Sequence, residues 1–141
     1  MPQSQIFIPC VALVVLTAIV WVRLYVERIA EMRAKRIKPQ ALATSREATQ
    51  TLQHVNAADN FRNLFEVPVL FYVLCVSLAI TQLVTPLYLW GAWFYVALRT
   101  AQSFIHLTYN RVMHRFVTYA ASTLLVYIMW VSFGVSILSA A

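Results

Sequence analysis

Charge is what this chain has least of. Its 141 residues include five acids and eleven Lys and Arg, and the stretches 67–98 and 116–141 hold no charge at all. A soluble domain shields its core with a charged shell near about a quarter of the sequence, so an ordinary water-soluble fold is excluded. With 61% hydrophobic residues and a mean hydropathy of +0.69, lipid must be the solvent. Cysteine is scarce as well. Cys10 and Cys75 lie far apart in apolar segments with no ligand-type spacing, which excludes a disulfide framework and a zinc site. They read as two small buried apolar side chains, and no metal site is expected. Internal repeats, low-complexity tracts and a soluble appendage are missing too, and without paired half-repeats the chain does not read as a transporter.

What remains is four apolar runs. A helix crosses the hydrocarbon with about 20 residues, and runs of that length fall at roughly 6–28, 62–85, 87–109 and 116–138. Even spacing and short joints predict an all-α integral membrane protein, a four-helix antiparallel bundle forming one domain over 1–141. The first run is preceded by no basic residue and outlasts a typical signal h-region, so it reads as a retained helix. It is expected to continue to about Arg33 as an amphipathic extension, with Glu31 paired to Lys35 and Glu27 to a cation near Glu31. Pro39 marks its end, and the polar segment 40–55 reads as a loop.

The net charge of +6 is unevenly placed. Arg28, Arg33, Lys35, Arg36, Lys38 and Arg46 crowd the first loop and Arg111 and Arg115 the third, while the second loop and the C-terminus carry none. Basic residues concentrate in cytoplasmic loops. Loops one and three are therefore expected in the cytoplasm, with both termini extracytoplasmic. This placement points to membrane lipids as partners and not to nucleic acid. Trp90, Trp93 and Tyr88 read as an interfacial belt at the other end of helix three.

The remaining polar groups sit where the bilayer should exclude them. Asn56, Asp59, Asn60, Arg62, Asn63 and Glu66 fall within an arc of about 160° on a regular helix, and Pro68 predicts a kink that frees the Leu64 carbonyl beside them. In helix three, Arg99, Gln102, Ser103, His106 and Asn110 share a face. Arg99 lies about 16 Å from the Asn110 end at 1.5 Å per residue, near the midplane, and Glu66 is its expected counter-charge. Helix four adds Arg115, Thr118, Tyr119 and Ser122. Three helices thus aim polar groups at one half of the bundle: Arg62, Asn63 and Glu66; Arg99, Gln102 and His106; Arg115 and Tyr119. Several cations and hydrogen-bonding groups around a single acid suit a small anionic ligand that also carries an amine.

Arg62-Asn63-x-x-Glu66 opening helix two, Arg99 in helix three, Arg115 sixteen positions later and Tyr119 four beyond resemble the MAPEG family. These are the membrane-associated proteins in eicosanoid and glutathione metabolism, including microsomal glutathione transferases and microsomal prostaglandin E synthase. The resemblance covers about residues 56–127 well and helix one only loosely. It implies a homotrimer of four-helix subunits with glutathione bound between neighbours, reached from the cytoplasm. It maps glutathione contacts onto Arg62, Asn63, Glu66, Arg115 and Tyr119, and adds a helix-one Arg, nearest Arg33, with Arg28 and Arg36 as alternatives. Arg99, Gln102 and His106 complete the binding set.

The chain departs from the family pattern at four places. Gln102 and His106 stand where better-known members place His and then Tyr, Asp59 where they often carry an extra Arg, and Phe116 where a small hydroxyl residue is usual. Eicosanoid synthesis is therefore not supported. The expected function is a glutathione-dependent transferase or peroxidase for lipophilic electrophiles, with glutathione as co-substrate and Arg115 and Tyr119 as catalytic groups. Only the thiolate attacks; a guanidinium favours it and a phenol hydrogen-bonds to it. The alternative is a non-enzymatic membrane protein that uses the polar cluster for assembly or for binding another anion.

Overall fold

The computed structural model describes residues 2–44, 47–48, 51–52 and 56–140. Arg46 of the basic first loop lies outside them. The described residues are helical and irregular throughout, with no strand among them. A short 3-10 turn, Gln3–Ile6, leads into α1, Phe7–Lys35, and a second turn, Pro39–Leu42, follows it. Then come α2, Asn56–Asn63; α3, Val67–Ile80; α4, Pro86–Leu107; and α5, Val112–Ala140. The joints of five residues between α3 and α4 and of four between α4 and α5 make those neighbours antiparallel, and the sequence-derived spans correspond to α1, α2 with α3, α4 and α5.

At 29 residues α1 is about 44 Å long, enough to cross the hydrocarbon and project beyond it. The projecting part is laced by ion pairs. Lys35 bonds Glu31 at 2.5 Å as expected, whereas Glu27 pairs backwards with Arg23 at 2.6 Å, because its own i+4 position is the acid Glu31.

The second span differs from a single kinked helix over 62–85. It begins six residues earlier, at Asn56, breaks completely between Asn63 and Val67, and ends at Ile80. Pro68 has no N–H for the Leu64 carbonyl, and its ring crowds that carbonyl, so the helix cannot run through; Pro68 instead sits in the first turn of the next helix, where no N–H is needed. Glu66 then becomes the N-cap of α3 with an irregular backbone, φ −89° and ψ −100°.

With only two glycines, both inside helices, the usual helix stop is missing. Three helices close instead on left-handed residues with side chains: Arg36 after α1, Gln82 after α3 and Asn110 after α4. The N–H following Arg36 and Gln82 reaches five residues back, Ile37 to Met32 at 3.0 Å and Leu83 to Leu78 at 3.0 Å, and at the third end the N–H of Asn110 itself reaches Ile105 at 2.8 Å, capping carbonyls that the helix leaves free. Gly91 has a different role. A Cβ there would lie 3.1 Å from Met129 Sδ, so its absence lets α4 and α5 approach, and these two helices form the most extensive contact of the bundle.

The core threads all the long helices: Leu13 and Val20 of α1, Phe71, Leu74 and Leu78 of α3, Ala92 and Tyr95 of α4, Val126 and Phe133 of α5. Phe71 and Tyr95 stack with centroids 4.5 Å apart. Cys75 is buried in this core and Cys10 half-buried against it; both are free thiols, and Cys10 Sγ donates to the Ile6 carbonyl at 3.6 Å. Among the described residues no His, Cys, Asp or Glu group could hold a metal ion. Large apolar side chains such as Val11, Ile19, Leu124 and Val131 face outward, as a lipid solvent allows.

Three helical stretches, Gln3–Lys35, Asn56–Ile80 and Val112–Ser139, are long and apolar enough to cross a membrane, and the chain is an integral membrane protein. By contrast, α4 is long enough at 22 residues but falls short in apolarity, because Arg99, Gln102, Ser103 and His106 interrupt it. Of its expected aromatic belt, Trp90 and Trp93 are exposed, but Tyr88 turns inward and its hydroxyl donates to Ser132 Oγ at 2.9 Å.

Candidate functional site

A pocket of about 240 Å³ opens where the α2–α3 junction faces α4 and α5. It is lined by Asn63 and Glu66 from the junction, Gln102 from α4, and Val112, Arg115, Phe116 and Tyr119 from α5. Each wall has a local cause. The Pro68 break ends α2 at Asn63 and turns Glu66 outward, so both side chains reach the pocket rim. On α5, Arg115, Phe116 and Tyr119 follow the i, i+1, i+4 spacing that places residues on one flank of a helix. α5 starts at Val112, four residues before the expected span, so Arg115 lies within its first turn.

Five of the expected site residues therefore meet: Asn63, Glu66, Gln102, Arg115 and Tyr119. The pocket offers one carboxylate, two carboxamides, a guanidinium and a phenol, with Phe116 and Val112 as apolar edges. That donor set can hold a small ligand carrying both carboxylates and an amine. Arg115 is half-buried, and its Nη1 donates to Asn110 Oδ1 at 2.7 Å. Asn110 Nδ2 in turn donates to Asn56 Oδ1 of α2 at 3.1 Å.

The other expected residues lie elsewhere. Arg62 is exposed and does not line the pocket, with Nη1 3.7 Å from Asp59 Oδ1. Arg33 is exposed near the end of α1 and does not line the pocket. His106 is fully buried and does not line the pocket, and neither ring nitrogen has a hydrogen-bond partner among the described residues. Neighbouring Ser103 donates to Asn60 Oδ1 at 3.2 Å, so much of this polar face of α4 packs on α2.

The pairing of Arg99 with Glu66 does not occur. Arg99 is 1% exposed, as its depth predicted, but Glu66 is exposed and in no ion pair among the described residues. The helix break carries the acid outward, while Arg99 folds along its own helix. Its Nε donates to Tyr95 Oη at 3.1 Å and its Nη1 to Gln102 Oε1 at 2.7 Å. The guanidinium carbon lies 5.5 Å from the Tyr95 ring centroid and 5.1 Å from that of Tyr119. Two π-faces and a carboxamide thus take the place of a counter-ion. Among the described residues, Nη2 has no hydrogen-bond partner.

Sequence reasoning overlooked Tyr95, whose position one turn before Arg99 was the available signal. It placed Asn56 and Asn110 on polar faces without a role at the pocket. Val112 gave no signal, since an apolar residue at a helix start is commonplace.

Compared with known proteins, residues 6–135 match the family model described as the MAPEG family. Neither the curated proteins nor the solved structures give a match.

Proposed function

The chain belongs to the MAPEG family, and from that premise we propose that it is a glutathione-dependent membrane transferase or peroxidase acting on lipophilic electrophiles. The observation that carries this reading is the convergence of Asn63 and Glu66 with Arg115 and Tyr119 around one pocket. Glu66 suits the glutathione amine, and Asn63 and Gln102 suit its backbone and carboxylates. Arg115 stabilises the thiolate, and Tyr119 donates a hydrogen bond to it. Lowering a thiol pKa by two units takes about 2.7 kcal/mol of differential stabilisation, which one guanidinium in a partly desolvated site can provide.

In the transferase reaction the thiolate forms a carbon–sulfur bond and the electrophile's leaving group departs with the displaced electron pair. In the peroxidase reaction two glutathiones reduce a hydroperoxide to an alcohol and water and become glutathione disulfide. In both, the apolar substrate arrives from the bilayer while glutathione enters from the cytoplasm, the side to which the basic loops assign this end of the bundle. The pocket is open on one side, and Arg62 and Arg33 are exposed and do not line it within the subunit. A homotrimer belongs to the same reading, with a neighbour's cations completing the glutathione site.

The test is calorimetric titration of the detergent-solubilised protein with glutathione, followed by turnover with an aryl halide and a lipid hydroperoxide. Saturable binding with turnover of either substrate is the expected result. Binding without turnover, or no binding, overturns the enzymatic reading. It would leave a membrane protein that uses the cluster for assembly or another anion, a reading to which the bulky Phe116 at the pocket edge lends weight.

A further inference from the structure

The Arg115 guanidinium is held from outside its own helix. Its Nη1 bonds the side-chain oxygen of Asn110 in the preceding turn at 2.7 Å, and that side chain bonds Asn56 at the start of α2 at 3.1 Å. Asn110 also has a left-handed backbone, φ 45°, and its N–H closes α4 on the Ile105 carbonyl at 2.8 Å. Arg36 and Gln82 hold the same conformation at other helix ends, so the backbone alone does not require Asn here. What Asn adds is tolerance of this conformation together with an acceptor and a donor in one short amide.

We infer that Asn110, backed by Asn56, is a positioning residue that fixes where Arg115 presents its charge. A free arginine side chain samples many rotamers, and a charge-assisted bond to a fixed acceptor removes most of that freedom. The anchor also ties the two walls of the pocket together, because Asn56 and Asn63 stand at opposite ends of the same eight-residue helix. A shift of the α4–α5 turn relative to α2 therefore moves Arg115 and Asn63 in concert. A separate clip, Tyr109 Oη against His114 Nδ1 at 3.1 Å, secures the same turn without touching Arg115. The inference rests on the reading of Arg115 as the group that stabilises the thiolate.

The test uses the full chain in detergent, with Asn110→Gly and Asn56→Ala made alone and together with Arg115→Ala. Asn110→Gly keeps the left-handed turn and deletes both side-chain bonds. It is expected to lower kcat about tenfold and change KM by no more than about twofold, the effect of losing one hydrogen bond to a charged group. The thiolate absorbance of bound glutathione should appear at higher pH. Asn56→Ala should act in the same direction and more weakly, and it carries the test if Asn110→Gly does not fold. Neither change should add to Arg115→Ala, since residues acting through a common partner are not additive. Parental kcat and thiolate titration in both variants, or losses additive with Arg115→Ala, overturn the inference. A parent that binds no glutathione defeats the functional reading instead. The positioning role is then decided by 15N NMR of the Arg115 guanidinium, expected to show restricted rotation in the parent and averaging in Asn110→Gly. Unchanged rotation overturns it.

Discussion

The Arg99 guanidinium carbon lies 5.1 Å from the ring centroid of Tyr119, so a residue at the pocket wall also shields the buried charge behind it. One side chain thereby has two separable duties. The ring faces the cation, and the hydroxyl is available to a ligand. Tyr119→Phe should keep thermal stability within about 0.5 kcal/mol of the parent and lower turnover, whereas Tyr119→Leu should also cost about 0.5–2 kcal/mol through the lost cation–π contact. Melting curves and turnover, measured together, separate the two. Equal stability of the Phe and Leu variants would show that the ring does not support Arg99.

Glu66 is exposed and in no ion pair among the described residues. Replacing it with Gln removes a charge without stranding a buried partner, so stability should stay within about 0.5 kcal/mol of the parent. Glutathione affinity should fall, because the amine loses its carboxylate. A large drop in melting temperature would mean that the acid supports the fold after all.

Arg115 and Asn63 should differ in kinetics. A group that stabilises charge mainly in the reactive state lowers kcat when removed, while a group that binds ground and transition states alike raises KM. Arg115→Ala is expected to depress kcat and delay thiolate formation to higher pH. Asn63→Ala is expected to raise KM with kcat near the parent. Steady-state kinetics with a pH series checks both, and normal turnover by Arg115→Ala would remove it from the chemistry.

Gln82 occupies a left-handed position, φ 57°, at the end of α3, and its exposed side chain makes no hydrogen bond among the described residues. Gly adopts that conformation without the Cβ penalty. Gln82→Gly should therefore stabilise the protein by a few tenths to about 1 kcal/mol once the greater freedom of the unfolded chain is counted. Asn110→Gly, at φ 45°, should instead destabilise it, because two side-chain bonds are lost with the residue. Thermal unfolding of the pair in one detergent compares them directly.

Orientation in the membrane is tested by labelling. With Cys10 and Cys75 replaced, a cysteine introduced at Ala43 in the first loop should resist an impermeant reagent applied to intact cells and react after permeabilisation. Labelling from outside would reverse the orientation and separate the pocket from the cytoplasmic glutathione pool.

Helices, short joints and a lipid environment were legible in the sequence because they follow from run length and charge placement, which are local properties. A disturbance at Pro68 was legible for the same reason, but as a kink and not as the complete break between Asn63 and Val67. The five residues that meet at the pocket were found by convergence, a coarser signal that sorts residues by face. What the sequence could not convey was which partner wins. Arg99 had one acid within reach by depth and sign, yet Tyr95 and Gln102 on its own helix and Tyr119 on the next lay closer. Opposite charges were visible in the sequence; the outward turn of Glu66 depended on backbone angles that composition does not encode. His106 and Arg62 lie off this pocket for a similar reason, since sharing a helical face does not decide which neighbour that face meets.

The arrangement around Arg99 also bears on how the protein is made. A charge at mid-bilayer opposes insertion of a lone helix by about 2.5–3.5 kcal/mol on translocon scales, and α4 is the one long helix whose apolarity falls short of a spanning segment. One of the two rings that face the guanidinium, Tyr119, belongs to α5, which follows after a four-residue turn. Entry of α4 into lipid is therefore expected to be easier once the helix behind it has been made, the two entering together as a hairpin. A ribosome halted before Tyr119 has emerged would leave α4 waiting at the translocon, its arginine still without the second aromatic face.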